Sequence, residues 1–360
     1  MKTTHSSRGT LSRRSFLTGA LSTAVVATAR GKNTARLVST MKGPVSCTSL
    51  GRTSIHEHVL WFGGPRLIDV GYTPIPEERR AETVKFAAHL LNEAGKAGLH
   101  TIVDCTPHRP IDLYQQIALL TSVNVVPSTG FYRRAKIPTA WASIEDEKAM
   151  EELMTKEIVQ GIQGTSVRAG IMKLASESAP LTDWEKKTFR AGARVQKATG
   201  TPIVTHSGPQ SAAEQHDILV RNGADPGKIV LSHMDVGINS SIEKIKSLLP
   251  LLESGSYFEV DTFGQEFYTS KADLIYFLRF YCDAGFANRL FISMDSNWHW
   301  ENGAKIFEGG EPPASDPNAS RRTFSYLMTN VVPDLLKSGF SQKEIDTFMI
   351  DNPRRYFCGA

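Results

Sequence analysis

Between residues 50 and 300 the chain alternates eight times between a short, apolar, β-branched run and a longer charged segment with helical spacing. The runs are TSIHEH (53–58), HTIVDCT (100–106), NVVPSTGFY (124–132), AGIMKLAS (169–176), TPIVTHSG (201–208), KIVLSHMD (228–235), SYFEVDTFG (256–264) and RLFISMDS (289–296). Runs apolar on both faces suit strands covered on both sides, as parallel strands are. Segments such as 77–98 and 183–200 place apolar residues on one helical face, and Gly98, Gly200 and Gly223 sit where helices end. Eight such units in about 250 residues predict an α/β fold, a (β/α)8 TIM barrel. An open doubly wound sheet ordinarily has fewer strands and a glycine-rich phosphate turn near its start. The chain has neither a G-x-G-x-x-G nor a P-loop motif. Beyond the eighth run, a Gly- and Pro-rich loop (297–320) leads into a closing helical pair, 321–338 and 341–350.

The remaining composition narrows the partners. A formal charge of +4 over 360 residues, with no basic block after the first 40, gives no footprint for nucleic acid. No apolar run is long enough to span a membrane. The N-terminus differs from the rest: Arg13 and Arg14 precede an apolar stretch, Phe16 to Ala29, that ends Ala27-Thr28-Ala29. This reads as a signal peptide with linker over 1–35, ahead of a barrel domain over 36–360. The Ser-Arg-Arg-x-Phe-Leu form resembles a twin-arginine signal, so the protein is expected to be exported, periplasmic or secreted. An uncleaved N-terminal tail on a cytoplasmic protein is the alternative. Cys47, Cys105, Cys282 and Cys358 form no C-x-x-C pair, and buried free thiols are the default reading.

In such barrels, the groups that do chemistry lie at the C-terminal ends of the strands. Read there, the runs supply His56 and His58, Lys173, His206, His233 and Asp295. His56 and His58 flank Glu57, and residues i and i+2 of a strand face the same side. Four imidazoles and a carboxylate on one rim suit Zn²⁺ or a similar divalent ion. They exceed the three ligands that one catalytic zinc uses, which points to two metals. Lys173, inside an apolar strand, is costly if left charged and unpaired. It either pairs with a carboxylate such as Glu177 or Asp104, or reacts with CO2 to give a carbamate able to bridge two cations.

The order H-x-H, Lys, His, His, Asp along strands 1, 4, 5, 6 and 8 resembles the phosphotriesterase-like branch of the amidohydrolase superfamily. The approach MKGPVSCTSLGRTSIHEH (41–58) and the closing IDNPRRYF (350–357) are similar to that family's opening and closing segments. The resemblance covers residues 41–357. It implies that His56, His58 and Asp295 hold the more buried metal, that His206 and His233 hold the more exposed one, and that carboxylated Lys173 bridges them. It further implies a hydroxide between the metals, with Asp295 as its proton acceptor, and a homodimeric protein. Glu57, facing away, is expected to anchor the first strand. Zinc is the expected metal; cobalt, manganese and iron suit the same ligands.

The expected activity is hydrolysis of a small-molecule lactone, carboxyl ester or phosphoester. A phosphotriesterase acting mainly on organophosphates, an inactive binding protein on the same barrel, and a non-hydrolytic lyase or isomerase are the alternatives. Tyr132 matches a tyrosine that orients the lactone in the family's lactonases; simple packing is the other reading. Trp298 and Trp300 either wall a substrate pocket or cover the barrel mouth at a dimer contact. Two departures stand out. Thr262 occupies a position where lactonases often carry a basic residue, as in the phosphotriesterase-homology proteins. The segment DCTPHRPIDL (104–113) lacks the family's Gly-Arg-Asp stretch, with Arg109 and Asp112 as the nearest substitutes.

Overall fold

All eight apolar runs form strands, joined in sequence order into one parallel sheet. The computed structural model describes residues 36–61, 74–177, 179–206, 208–301, 303–307 and 322–359. The signal-like segment 1–35 and much of the loop 297–320 lie outside the described residues. In chain order, β1 (Leu37–Thr40) and β2 (Gly43–Ser46) make an antiparallel hairpin ahead of the barrel. The barrel strands follow: β3 (Thr53–Glu57), β4 (Thr101–Asp104), β5 (Asn124–Phe131), β6 (Ile171–Leu174), β7 (Ile203–Val204), β8 (Ile229–Leu231), β9 (Tyr257–Val260) and β10 (Leu290–Ile292). A second hairpin, β11 (Trp298–Glu301) and β12 (Ala304–Phe307), replaces part of the expected loop. Among the described residues, no helix is long and apolar enough to cross a membrane.

The ring closes where the chemistry is expected. His58 N–H donates to Ser296 O at 2.9 Å, and Asp295 N–H donates to His56 O at 3.1 Å, so the end of β3 is laced to the segment after β10. Glu57 completes the seam from the opposite face, accepting from Ser54 Oγ at 2.5 Å and from Ser296 N–H at 2.8 Å. The alternation His–Glu–His therefore serves two jobs: the histidines face inward while the glutamate locks strand 1 to strand 8. Gly130 allows β5 to approach β6. Its φ is +125°, and a Cβ there would lie 2.1 Å from the carbonyl oxygen of Lys173.

Around the barrel, amphipathic helices cover the sheet. The helix Glu77–Lys96 starts with Glu77 and Glu78 and buries Val84, Ala87, Leu91 and Ala94. The helix Asp183–Thr199 opens with a Thr182–Glu185 capping box and ends at Gly200 with φ +68°. At the chain's end, helical structure runs past the expected residue 350, through Asn352–Cys358. There Cys358 is disulfide-bonded to Cys47, across 311 residues of sequence, while Cys105 and Cys282 are free thiols. Two of the four cysteines thus depart from the expected buried free thiols. The bond ties the last helix to the turn Cys47–Ser49, directly before β3. Such cross-links typically contribute about 2–4 kcal/mol. Reductant is expected to lower the melting temperature of the protein by about 5 °C, and to have no effect on a Cys47→Ser, Cys358→Ser double variant in a calorimetric scan.

His108 gives a second stability prediction. Its ring is buried against Phe131 and Trp141, and neither ring nitrogen has a hydrogen-bond partner. Burial, aided by the charge of Arg109, pushes its pKa down to about 3. Between about pH 6.5 and pH 3, the unfolded chain therefore holds a proton here that the folded chain refuses. Stability from this position is full above pH 6.5 and falls as the solution is acidified. His108→Leu should gain about 2 kcal/mol relative to wild type on going from pH 7.5 to pH 5. Urea unfolding of both proteins at the two pH values measures this, and a difference independent of pH would refute it.

Candidate active site

His56, His58, Lys173, His206, His233 and Asp295 all reach one region at the C-terminal ends of the strands. His56 Nε2 lies 2.8 Å from Lys173 Nζ and 3.4 Å from Asp295 Oδ1. His58 Nε2 lies 3.0 Å from the same Asp295 oxygen. On the other side, His233 Nε2 lies 2.8 Å from His206 Nδ1. The rings of His56 and His233 are 5.0 Å apart and bring the two halves together. His56 and Lys173 are wholly buried, whereas the Asp295 side chain is 22 % exposed and opens on a cavity of about 280 Å³.

The outer contacts decide which nitrogens remain available. His56 Nδ1–H donates to Glu259 Oε2 at 3.0 Å, and Ser293 Oγ–H donates to Oε1 of the same carboxylate. His58 Nδ1 is 2.8 Å from Thr106 Oγ1. His233 Nδ1 faces Asp261 Oδ2 at 2.7 Å. Each of these three rings is held through Nδ1 and offers Nε2 inward, the arrangement expected of ligating histidines. Beneath them, burial and the charge of Glu259 push the Asp261 carboxyl well up, whereas His56 pulls that of Glu259 down against its own burial. Sequence reading missed both: Glu259 lies inside β9, and Asp261 directly follows it.

Two groups of side chains are spaced closely enough for a cation: His56, His58 and Asp295, and His56, His233, Glu259 and Asp261. The second uses the Nδ1 face, where hydrogen bonds already occupy His56 and Glu259. The first uses the Nε2 face and borders the cavity. Asp295 Oδ1 is a buried oxygen that receives no hydrogen bond, although two imidazole nitrogens lie within 3.4 Å. An anionic oxygen among lone-pair nitrogens is unfavourable without a cation, so the donor set fits divalent metal. His233 and Asp295 also adopt left-handed backbone, φ 58° and φ 45°, which is uncommon for non-glycine residues.

Lys173 pairs with neither carboxylate that the sequence offered. Glu177 faces Arg133, and Asp104 accepts from Val59 N–H, Thr106 N–H and Tyr114 Oη–H. Among the described residues, the lysine's hydrogen-bonding partners are His56 Nε2 and the carbonyl of Thr205, the latter at 2.9 Å. Tyr132 lies at the cavity with its hydroxyl 3.5 Å from His206 Nε2.

Trp298 and Trp300 are not on the cavity. The period-two alternation of β11 turns both indoles to one side, where Trp298 stacks on Phe86 at 4.9 Å and Trp300 Nε1–H donates to Thr83 on the helix Glu77–Lys96. The aromatic wall is Trp61 instead, edge-on to His58 at 4.1 Å and to Tyr132 at 5.6 Å. Arg109 is buried on Ser128, and Asp112 pairs with Arg80 outside the barrel, so neither replaces the missing stretch at the cavity. Arg322 is a further support, donating to the backbone carbonyls of Asp261, Phe263 and Met294 and so holding the ends of strands 7 and 8 together.

A profile of the phosphotriesterase family matches residues 36–357. The chain belongs to the phosphotriesterase family. It is 28 % identical over 333 residues to the phosphotriesterase homology protein of Mycobacterium tuberculosis, covering 89 % of this chain and 97 % of that one. It is 29 % identical over 357 residues to the N-acetyltaurine hydrolase of Salmo salar, with the same coverage. Among solved structures, a mutant of a phosphotriesterase-like lactonase from Deinococcus radiodurans superposes with a TM-score of 0.76 at 29 % identity, over 89 % of this chain and 99 % of that one. The family is binuclear and metal-dependent, and these likenesses support a metal-dependent hydrolase of ester bonds.

Proposed function

We propose that this phosphotriesterase-family protein is a two-metal hydrolase of lactones or carboxyl esters. The observation that carries the reading is Asp295 Oδ1, a buried anionic oxygen without a hydrogen-bond donor among converging imidazoles. In this reading His56, His58 and Asp295 hold one divalent ion and His206 and His233 the other. Lys173, carboxylated by CO2, serves both. Zinc suits the ligands, as cobalt, manganese or iron would. When bound, the ions supply an acidified water and a Lewis acid for the substrate's carbonyl oxygen. Asp295, the acidic ligand at the cavity, takes the proton of the attacking water. Tyr132 Oη–H orients the substrate beside His206, and Trp61 gives its apolar part a wall.

Amide hydrolysis is the second reading, favoured by the likeness to N-acetyltaurine hydrolases. The complete ligand set weighs against an inactive binding protein. Export is part of the proposal: the twin-arginine-like start and the Cys47–Cys358 bond both suit an oxidising compartment. So is the homodimer that the family resemblance implies. The test is hydrolysis by the zinc-loaded protein of γ- and δ-lactones, an aryl acetate and an aryl dialkyl phosphate, followed by proton release, and of an N-acyl amide, followed by amine release, with chelated protein as blank. Lactone or acetate turnover at least about tenfold above the phosphate in kcat/KM supports the proposal. A phosphate preference of that size replaces it with phosphotriester hydrolysis, and turnover of the amide alone replaces it with the second reading.

A further inference from the structure

The rim of the cavity carries a charged pair that the proposed chemistry does not use. Arg133 follows Tyr132 at the end of strand 3, and Glu177 follows strand 4. Both line the cavity. Their contact is loose: Arg133 Nη1 is 3.4 Å from Glu177 Oε2, and the side chains are 24 % and 45 % exposed. The guanidinium lies against the ring of Tyr132 at 5.6 Å, while the glutamate's carboxylate stands half in water. Arg133 is therefore the fixed member and Glu177 the displaceable one. Moreover, Arg133 Nε–H is buried and donates to no acceptor. A guanidinium presents Nε and Nη hydrogens as a planar fork that matches an oxyanion with two oxygens. Here the Nη edge holds a partner that water screens.

We infer that Arg133 is a specificity residue that receives an oxyanion, a carboxylate or sulfonate, on the substrate's tail. Taking the cavity as the substrate site, the inference rests on the hydrolase reading. The anion replaces Glu177 on the Nη edge of the guanidinium, where the present partner is loosely held. The ring of Tyr132 lies 5.0 Å from that of His206 and 5.6 Å from the guanidinium of Arg133, so one phenol neighbours both. Tyr132, Tyr268 and Gln265 on the lining are neutral, while its carboxylates Asp261 and Asp295 lie beside His233 and His58.

Three acetates that differ only in the para group make the test: 4-acetoxybenzoate, 4-acetoxybenzenesulfonate and the neutral methyl 4-acetoxybenzoate. Their uncleavable ketone counterparts, 4-acetylbenzoate, 4-acetylbenzenesulfonate and methyl 4-acetylbenzoate, are titrated calorimetrically into zinc-loaded and into chelated protein. The zinc-loaded wild type should favour the anionic acetates by at least about tenfold in kcat/KM. Arg133→Gln should erase that preference through KM and leave the neutral ester within about twofold. Glu177→Gln, which removes the competitor, should tighten the anionic ketones several-fold. Arg133→Lys, which keeps the charge and loses the fork, should restore part of the preference. An anionic-to-neutral ratio unchanged in Arg133→Gln, with anionic ketones bound as in wild type, overturns the inference while leaving the hydrolase reading intact. Ketone binding that depends on Arg133 without turnover of any ester upholds the inference and sinks the hydrolase reading. If one oxyanion binds and the other does not, the inference holds for that one.

Discussion

Lys173→Met is expected to raise the stability of the metal-free protein and abolish its metal-dependent activity. The two effects have one physical origin. Lys173 is completely buried, and no carboxylate pairs with it among the described residues; its contacts are one imidazole nitrogen and one carbonyl. Withdrawing an amine from water for so little return is unfavourable, and a buried polar group replaced by an apolar one of similar volume is commonly neutral or stabilising, by about 1–4 kcal/mol. In the proposed function the position is kept because the loaded site would turn the amine into a carbamate, an anionic ligand, with the surrounding nitrogens as fellow ligands. Methionine fills the space and cannot carboxylate. Calorimetry of chelated protein should show a higher melting temperature for the variant. Metal analysis after dialysis should show fewer than two ions per chain. The fall in kcat/KM should exceed the roughly 10–100-fold cost of losing an outer contact to a ligand. With Lys173→Ala, which leaves room, a short carboxylic acid should restore part of the activity. A Lys173→Met protein that retains two ions and full rate would falsify the bridging role.

How much of this was legible depended on the range over which each signal acts. The eight strands were, because every one is buried on both faces and so carries its apolar pattern locally. The convergence of the candidate ligands was, because a parallel barrel directs the last residues of each strand to one rim whatever their separation in sequence. His56 and Asp295 are joined by a backbone hydrogen bond across 239 positions, yet each could be found from its own strand. Signals that act between elements were not legible. The partner of Cys47 is 311 residues away, and nothing near either cysteine favours Cys358 over Cys105 or Cys282. Glu259 and Asp261 read as ordinary strand residues until Nδ1 of His56 and of His233 comes to rest against them.

The misplaced tryptophans show a different limit. WHWE has the period of a strand and is followed by Asn302-Gly303, a pair favoured in hairpin turns. That local signal outweighed proximity to the eighth strand, and it turned Trp298 and Trp300 away from the cavity. Trp61, only three residues beyond His58, took the place at the substrate wall. Its role depends on the side to which the chain bends after β3, which no periodicity records.

Asp295→Asn should reduce kcat by about 10²–10⁴-fold, the range expected for loss of a positioned proton acceptor, and change KM far less. Asparagine is the informative replacement. Residue 295 has φ 45°, a conformation that asparagine adopts more readily than alanine does, so the backbone after β10 and its hydrogen bond to His56 O should survive. The amide oxygen remains available as a neutral ligand, and part of the metal affinity with it. What disappears is the negative charge. Burial works to raise the carboxyl's pKa, but the neighbouring imidazoles, His56 foremost, outweigh it and hold it well below the usual range. The group is thus held towards its anionic form, and its side chain opens on the cavity. It is ready to accept a proton from water in the cavity, and Glu57 and Glu259 are not, since both face away and are already hydrogen-bonded. Steady-state kinetics on the zinc-loaded variant, with its metal content measured in parallel, separates the two jobs of this residue. Full metal content with a collapsed kcat assigns Asp295 the proton. A kcat within tenfold of wild type at full metal content removes that role and leaves it a ligand alone. Loss of metal and activity together, restored at high zinc, makes charge on the ion its main contribution.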